Sequence, residues 1–183
     1  MLVIKTERLF IREYESKDAA GLYEILKNPP VQCFMDEKLS SLEEAKEAVA
    51  ERQKKEWHYA VCLADSDRLI GEVFADKERE NTYCISWNFN LRFGKKGYAL
   101  EAARAVMDAL FCADARRIYA YTDEKNIPSR GLCERLGMRQ EGLFLEFISF
   151  VKAEDGTPVY ENTCQYAILK REWEQQKASL QAE

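Results

Sequence analysis

The stretch "LRFGKKGYALEAARAVMDALF", residues Leu91–Phe111, decides how this chain is read. Ala99, Ala102, Ala103, Val106, Met107, Leu110 and Phe111 recur every three or four positions, which is one face of an amphipathic helix. Glu101, Arg104 and Asp108 fall on the other face, with Arg104 and Asp108 one turn apart. Just upstream, Tyr83, Ile85, Trp87, Phe89 and Leu91 alternate with Cys84, Ser86, Asn88 and Asn90. Period two in aromatic and branched residues predicts a half-buried strand. The unit is therefore strand, loop with glycines and lysines, helix. The first amides of a helix lack intrahelical partners and lie at the positive end of its dipole. Gly97 lets a ligand come close to the backbone. Such a loop suits an anion, phosphate above all. By local pattern alone a solvated Gly–Lys turn fits as well. The loop is neither G-x-x-x-x-G-K-[ST], since Leu100 and Glu101 follow it, nor G-x-G-x-x-G.

The rest of the chain bounds the answer. Its 183 residues suit one domain, 1–183, with a sizeable core. With 46% hydrophobic and 32% charged residues it has the composition of a folded soluble protein. A net charge of −5 speaks against general nucleic-acid binding and is compatible with an amine substrate. No apolar run is long enough to cross a membrane. "MLVIKTERLF" lacks the layout of a signal peptide. The six cysteines are scattered without a C-x-x-C pair. Their even number leaves disulfides open by counting, but scattered cysteines in a domain of this size read as buried reduced thiols. The expected location is the cytoplasm.

Outward from the central unit, "LVIKTERLFIRE" predicts an opening strand. Ser16 or Asp18 can cap a short helix to about Lys27, stopped by Asn28-Pro29-Pro30. Ser41 and Glu44 suggest a capping box for a charge-rich helix to about Glu56. Trp57–Ala64 and Arg68–Ala75 predict a hairpin through "DSD". "RRIYAYT" predicts a short buried strand, and "NIPSRGLCERLG" a helix ended by Gly137. Met138–Lys152 and Val159–Leu169 predict long strands about a Glu154-Asp155-Gly156 turn. Residues 170–183 predict a polar helix or frayed tail. The fold class is α+β: a single mixed, mostly antiparallel central sheet of about seven strands, with helices on both faces.

The residues "KKGYALEAARAVMDALF…ARRIYAYTDEKNIPSRGLCERLGMRQEG" resemble the GCN5-related N-acetyltransferase (GNAT) superfamily. "TERLFIRE" and "YAILKREW" look like its ribosomal-protein N-terminal acetyltransferase branch, the RimJ/RimL type. The resemblance implies an acyl-CoA N-acyltransferase fold and acetyl-CoA as co-substrate, with no metal. It implies that the loop holds the pyrophosphate of acetyl-CoA. The family pattern Arg/Gln-x-x-Gly-x-Gly/Ala falls on Gly94, Lys95, Lys96, Gly97, Tyr98 and Ala99. Gly94 departs from it, and Lys95 and Lys96 can supply charge instead. The pantetheine arm would bond backbone groups of Phe89 and Leu91. Asn126 matches the asparagine that steadies the arm, and Ser129 the small residue near the sulfur. Many superfamily members carry a tyrosine acid where this chain has Cys133; buried filler is the expected role for that cysteine.

Amide formation from a thioester needs a neutral amine, a polarised carbonyl and a stabilised thiolate. Because amines are mostly protonated at neutral pH, a base is useful, directly or through water. Three carboxylates compete for that role: Glu146 in "EGLFLEF", Glu72 in "IGEVF" and Glu161 in "VYENT". Each also reads as a solvated strand-edge carboxylate. The resemblance names the backbone N–H of Phe89 as oxyanion donor and lets Ser129 or a water donate to the thiolate. His58 is expected at the surface. Trp57, Tyr59 and Trp87 read as core or as acceptor-pocket lining, and the Asn28–Leu39 loop lies where the family shapes acceptor access. The implied activity is transfer of acetyl to a primary amine, a protein N-terminus or a small molecule, by direct attack in a ternary complex. A non-catalytic acyl-CoA-binding or regulatory module is the alternative. A monomer or a homodimer is expected.

Overall fold

The structure is a computed structural model that describes residues 3–29 and 31–181. The Leu2 end of the opening strand, Pro30 and the last two residues of the expected tail lie outside the described residues. Eight strands form one mixed, mostly antiparallel sheet flanked by helices, in the order β1-β2-β3-β4-β5-β6-β8-β7. They are β1 (Ile4–Lys5), β2 (Leu9–Arg12), β3 (His58–Leu63), β4 (Leu69–Lys77), β5 (Thr82–Phe89), β6 (Arg117–Asp123), β7 (Arg139–Lys152) and β8 (Pro158–Leu169). The helices are α1 (Ala19–Leu26), α2 (Leu42–Arg52), α3 (Tyr98–Ala113), α4 (Ile127–Arg135) and α5 (Lys170–Gln181). The pairing of β5 with β6 is parallel. No helix among the described residues is long and apolar enough to cross a membrane.

The sheet has one strand more than the seven expected because the opening strand is folded on itself. Thr6 N–H bonds Leu9 O at 3.0 Å, and Leu9 N–H bonds Thr6 Oγ1 at 3.0 Å. This turn divides the segment into β1 and β2, which pair antiparallel.

The chain forms two compact units. The first comprises Met1–Ala75 and Trp87–Val106. Its core joins Leu22, Ile25 and Leu26 of α1, Ala45 and Val49 of α2, and Ala60 and Cys62 of β3. Helix α2 is capped by Ser41, whose hydroxyl accepts Glu44 N–H at 3.2 Å. This is one half of the expected capping box; in the other half the Glu44 carboxylate takes the N–H of Ser40 instead of Ser41, 2.7 Å away. The helix ends at Arg52, short of Glu56.

The second unit comprises Asp76–Ser86 and Met107–Glu183. Asn126 Oδ1 accepts Ser129 N–H at 3.1 Å and caps α4, and Gly137 follows the helix at φ +77°. The expected polar tail is helix α5, anchored by Trp173, which is 2% exposed and donates from Nε1 to Asp108 at 2.8 Å. A residue that buries most of a large ring and satisfies its N–H holds a helix that polar composition alone would leave frayed.

Three expectations about burial are corrected. The alternation of the Tyr83 strand slips after Ile85: Tyr83 and Ile85 are buried, but so is Asn88, while Leu91 is 73% exposed. The strand ends at Phe89, because Asn90 turns the chain into a 3-10 helix and accepts Arg92 N–H on its side chain. His58 is no surface residue; it is 6% exposed. Nor are the thiols uniformly buried, since Cys33 and Cys112 are exposed. None of the six is in a disulfide.

Candidate active site

In the first unit the glycine–lysine loop has a defined backbone. Lys95 (φ +60°) and Gly97 (φ +82°) both take left-handed conformations. Two left-handed residues within three positions fold the loop back tightly just ahead of α3. The first intrahelical bond of α3 runs from Glu101 N–H to Gly97 O, at 3.0 Å. The amides of Tyr98, Ala99 and Leu100 therefore stand ahead of the helical ladder as donors. Gly94, the departure from the expected motif, is not left-handed (φ −63°). A Cβ there would lie 3.1 Å from Leu91 O, so a larger residue would force this loop to shift. The Lys96 ammonium lies 5.8 Å from the centre of the Phe93 ring.

Upstream of the loop, Asn90 N–H bonds Ile70 O at 2.9 Å. The Phe89 ring covers Gly71, where an added Cβ would meet ring carbon Cδ1 at 2.3 Å. Phe89, Leu91 and Arg92 border a cavity of about 180 Å³ together with Glu24 and Asn28.

The same unit holds a buried polar cluster. Glu72 is fully buried. Its Oε2 accepts from Tyr14 Oη at 2.8 Å and Arg52 Nε at 2.8 Å, and lies 2.9 Å from His58 Nε2. Burial alone would raise its pKa. The hydrogen bond with His58 and the Arg52 guanidinium outweigh it and bring the carboxyl down to about 2. Tyr14 is pushed well above its usual value, by burial and then by the Glu72 charge. A carboxylate so low and so fully engaged is a poor proton acceptor. Glu72 was expected at a strand edge as a candidate base; the geometry makes it the centre of an internal ion pair. Sequence reading missed Tyr14 and Arg52, since nothing local ties them to Glu72, 58 and 20 positions on.

In the second unit Asn126 sits at the start of α4, with its side-chain oxygen engaged by Ser129 N–H. Cys133 is buried in the same helix, and burial pushes its thiol up to about 12. A cavity of about 140 Å³ is bordered by Asp123, Glu124, Glu146, Tyr160, Glu161 and Asn162. Glu146 occupies a bulge of β7, between the pairs Phe144↔Thr163 and Ile148↔Glu161. It takes φ +47° and donates its N–H to Asn162 Oδ1 at 2.9 Å. Asn162 Nδ2 donates in turn to Glu124 Oε2 at 2.9 Å. Burial, then the nearby Asp123 charge, raises the pKa of Glu161. Beside the bulge the half-exposed rings of Tyr121, Phe144 and Phe147 touch one another, with centroids 5.1–6.2 Å apart. The sequence signal for this aromatic group was present in "LFLEF" but reads there only as strand.

Residues 8–139 match the family model described as an acetyltransferase (GNAT) domain. The chain is 38% identical over 173 residues to the Bacillus subtilis (strain 168) protein named uncharacterized N-acetyltransferase YnaD, covering 93% of this chain and 98% of that one. A solved acetyltransferase (GNAT family) from Bacillus anthracis superposes with a TM-score of 0.82 at 31% identity, covering 93% of this chain and 99% of that one. A likeness of fold alone, at 17% identity and a TM-score of 0.71, extends to RimL, a ribosomal L7/L12 alpha-N-protein acetyltransferase solved with coenzyme A; it covers 92% of this chain and 98% of that one. This chain belongs to the GNAT acetyltransferase family, and it is an acetyltransferase enzyme.

Proposed function

We propose that the chain is an acetyl-CoA-dependent N-acetyltransferase, one catalytic domain spanning 1–183, that acetylates a primary amine by direct attack in a ternary complex. The observation that carries this is the α3 loop. Left-handed Lys95 and Gly97 lead into the amides of Tyr98, Ala99 and Leu100, a donor set that fits a pyrophosphate. Gly94 through Ala99 would hold that group, and the backbone of Phe89 and Leu91 the pantetheine arm. Acetyl-CoA, when bound, supplies the activated acyl group. The N–H of Phe89 polarises the carbonyl, Ser129 donates to the departing sulfur, and Asn126 orders the arm through its place at the head of α4.

For the base, Glu146 on the β7 bulge is retained and Glu72 is set aside. A second reading assigns it to Glu161, because its raised pKa brings it closer to the operating pH. The acceptor is a peptide N-terminus, in keeping with the fold likeness to RimL, or a small amine. The enzyme works in the cytoplasm as a monomer or homodimer, without nucleic acid, membrane or metal.

The test is release of CoA from acetyl-CoA across a panel of primary amines, small molecules and short peptides with free N-termini. Release with at least one amine supports the reading, and the preferred amine names the acceptor class. Tight CoA binding with no release from any member overturns it in favour of a binding module.

A further inference from the structure

The "TER" of the opening segment, Thr6 to Arg8, grips the head of α3. Thr6 Oγ1 donates to Glu101 Oε1 at 2.5 Å, and Arg8 N–H donates to the same oxygen at 3.1 Å. The Arg8 guanidinium reaches Glu101 Oε2 through Nε at 2.7 Å and through Nη2 at 2.6 Å. Its Nη1 donates to Lys96 O at 2.9 Å. The same guanidinium stands 4.8 Å from the centre of the Tyr98 ring, and Nη2 would lie 3.3 Å from a Cβ on Gly97. One side chain thus engages Lys96 in the loop and Tyr98 and Glu101 in the first turn of the helix, and stands beside Gly97.

We propose that Arg8 is a positioning residue for the pyrophosphate loop; this rests on the function proposed above. In a planar trans peptide the C=O and the following N–H point in opposite directions. Fixing Lys96 O on Arg8 therefore turns the Gly97 N–H away from Arg8, to the side opposite the guanidinium. That sets the Lys96–Gly97 peptide, and with it the left-handed Gly97 that leads into the amides of α3. The second consequence is electrostatic. Glu101 puts a carboxylate in the first turn of α3, and a carbonyl dipole lies in the loop itself. Both would oppose a phosphate, and Arg8 engages both. Arginine suits this better than lysine, because its rigid fork can serve Glu101 and Lys96 at once and its flat face can lie against Tyr98.

The experiment compares the parent with Arg8→Ala and Arg8→Lys, measuring CoA affinity by titration calorimetry, the KM and kcat for acetyl-CoA, and the melting point without ligand. Arg8→Ala is expected to raise the CoA Kd and the acetyl-CoA KM at least fivefold while kcat at saturation stays within twofold. Arg8→Lys, keeping the charge but not the fork, should recover less than half of the loss. Full recovery by lysine would show that charge alone matters and would overturn positioning. So would CoA binding by folded Arg8→Ala as tight as the parent's. If Arg8→Ala does not fold, Arg8→Gln serves with the same readouts. A parent that binds no CoA would instead overturn the proposed function itself.

Discussion

His58 Nε2 stands 2.9 Å from Oε2 of Glu72, and both side chains are buried. The only histidine of the chain is thus committed to an internal carboxylate that also takes hydrogen bonds from Tyr14 and Arg52. Glu72 is held near 2, against a usual 4.5. A depressed carboxyl contributes stability that is present above the unfolded pKa and is lost as pH falls through the folded one. The window is therefore about pH 4.5 down to 2, and the contribution is about 3 kcal/mol by linkage. Chemical denaturation across that window should show the loss in the parent. In Glu72→Ala it should be much reduced, with stability at neutral pH lower by about 3 kcal/mol, because Arg52 loses its buried carboxylate and keeps the half-exposed Glu37, 2.6 Å from Nη2. A neutral-pH loss below 1 kcal/mol would remove the cluster from the stability of the fold.

Gly71→Ala should destabilise the protein, because the new methyl group would enter the Phe89 ring. Overpacking of this kind costs about 1–3 kcal/mol. The ring must move at the end of β5, so CoA affinity should fall as well. Equal melting points for Gly71→Ala and the parent would count against the close packing described here.

Gly97→Asp should weaken CoA binding more than about tenfold. Like charges about 4 Å apart near a protein surface repel by about 4 kcal/mol, while about 1.4 kcal/mol already makes a factor of ten. The new carboxylate would also compete for Arg8, which sits against this position. Unchanged affinity would misplace the phosphate site.

Thiol labelling should fall into classes. Cys33 and Cys112 are exposed and should react in the native protein. Cys62 and Cys133 are buried, and burial pushes both thiols up to about 12, so they should react only on unfolding. All six should titrate in denaturant without reductant; four or fewer would reveal a bridge.

Ser129→Ala should lower kcat with little change in the Kd for CoA, the pattern of a donor that acts only in the transition state. Loss of such a donor costs about 2–4 kcal/mol at an oxyanion site, and a thiolate needs less, so the low end is expected. Cys133→Ala should lower the melting point and spare kcat. The reverse pattern in folded, CoA-binding variants would exchange the two roles.

The sequence by itself determined the elements whose signals are local. The spacing from Ala99 to Phe111 yields α3, where Ala102, Ala103, Val106, Met107 and Leu110 are fully buried. Asn126 before Pro128 marks the head of α4, and Gly156 the β7–β8 turn, at φ +85°. Each is dictated by near neighbours, so one short window carries the whole instruction. What only tertiary structure decided is how distant side chains are spent. Glu72 in "IGEVF" reads as a strand-edge carboxylate until Tyr14, Arg52 and His58 meet it from three other segments. Arg8 reads as one more surface cation until Glu101 and Lys96, about ninety residues on, complete its hydrogen bonds. A charged group takes its role from the partners that replace its water, and those partners are chosen by the packing of the sheet and its helices, which no local window contains.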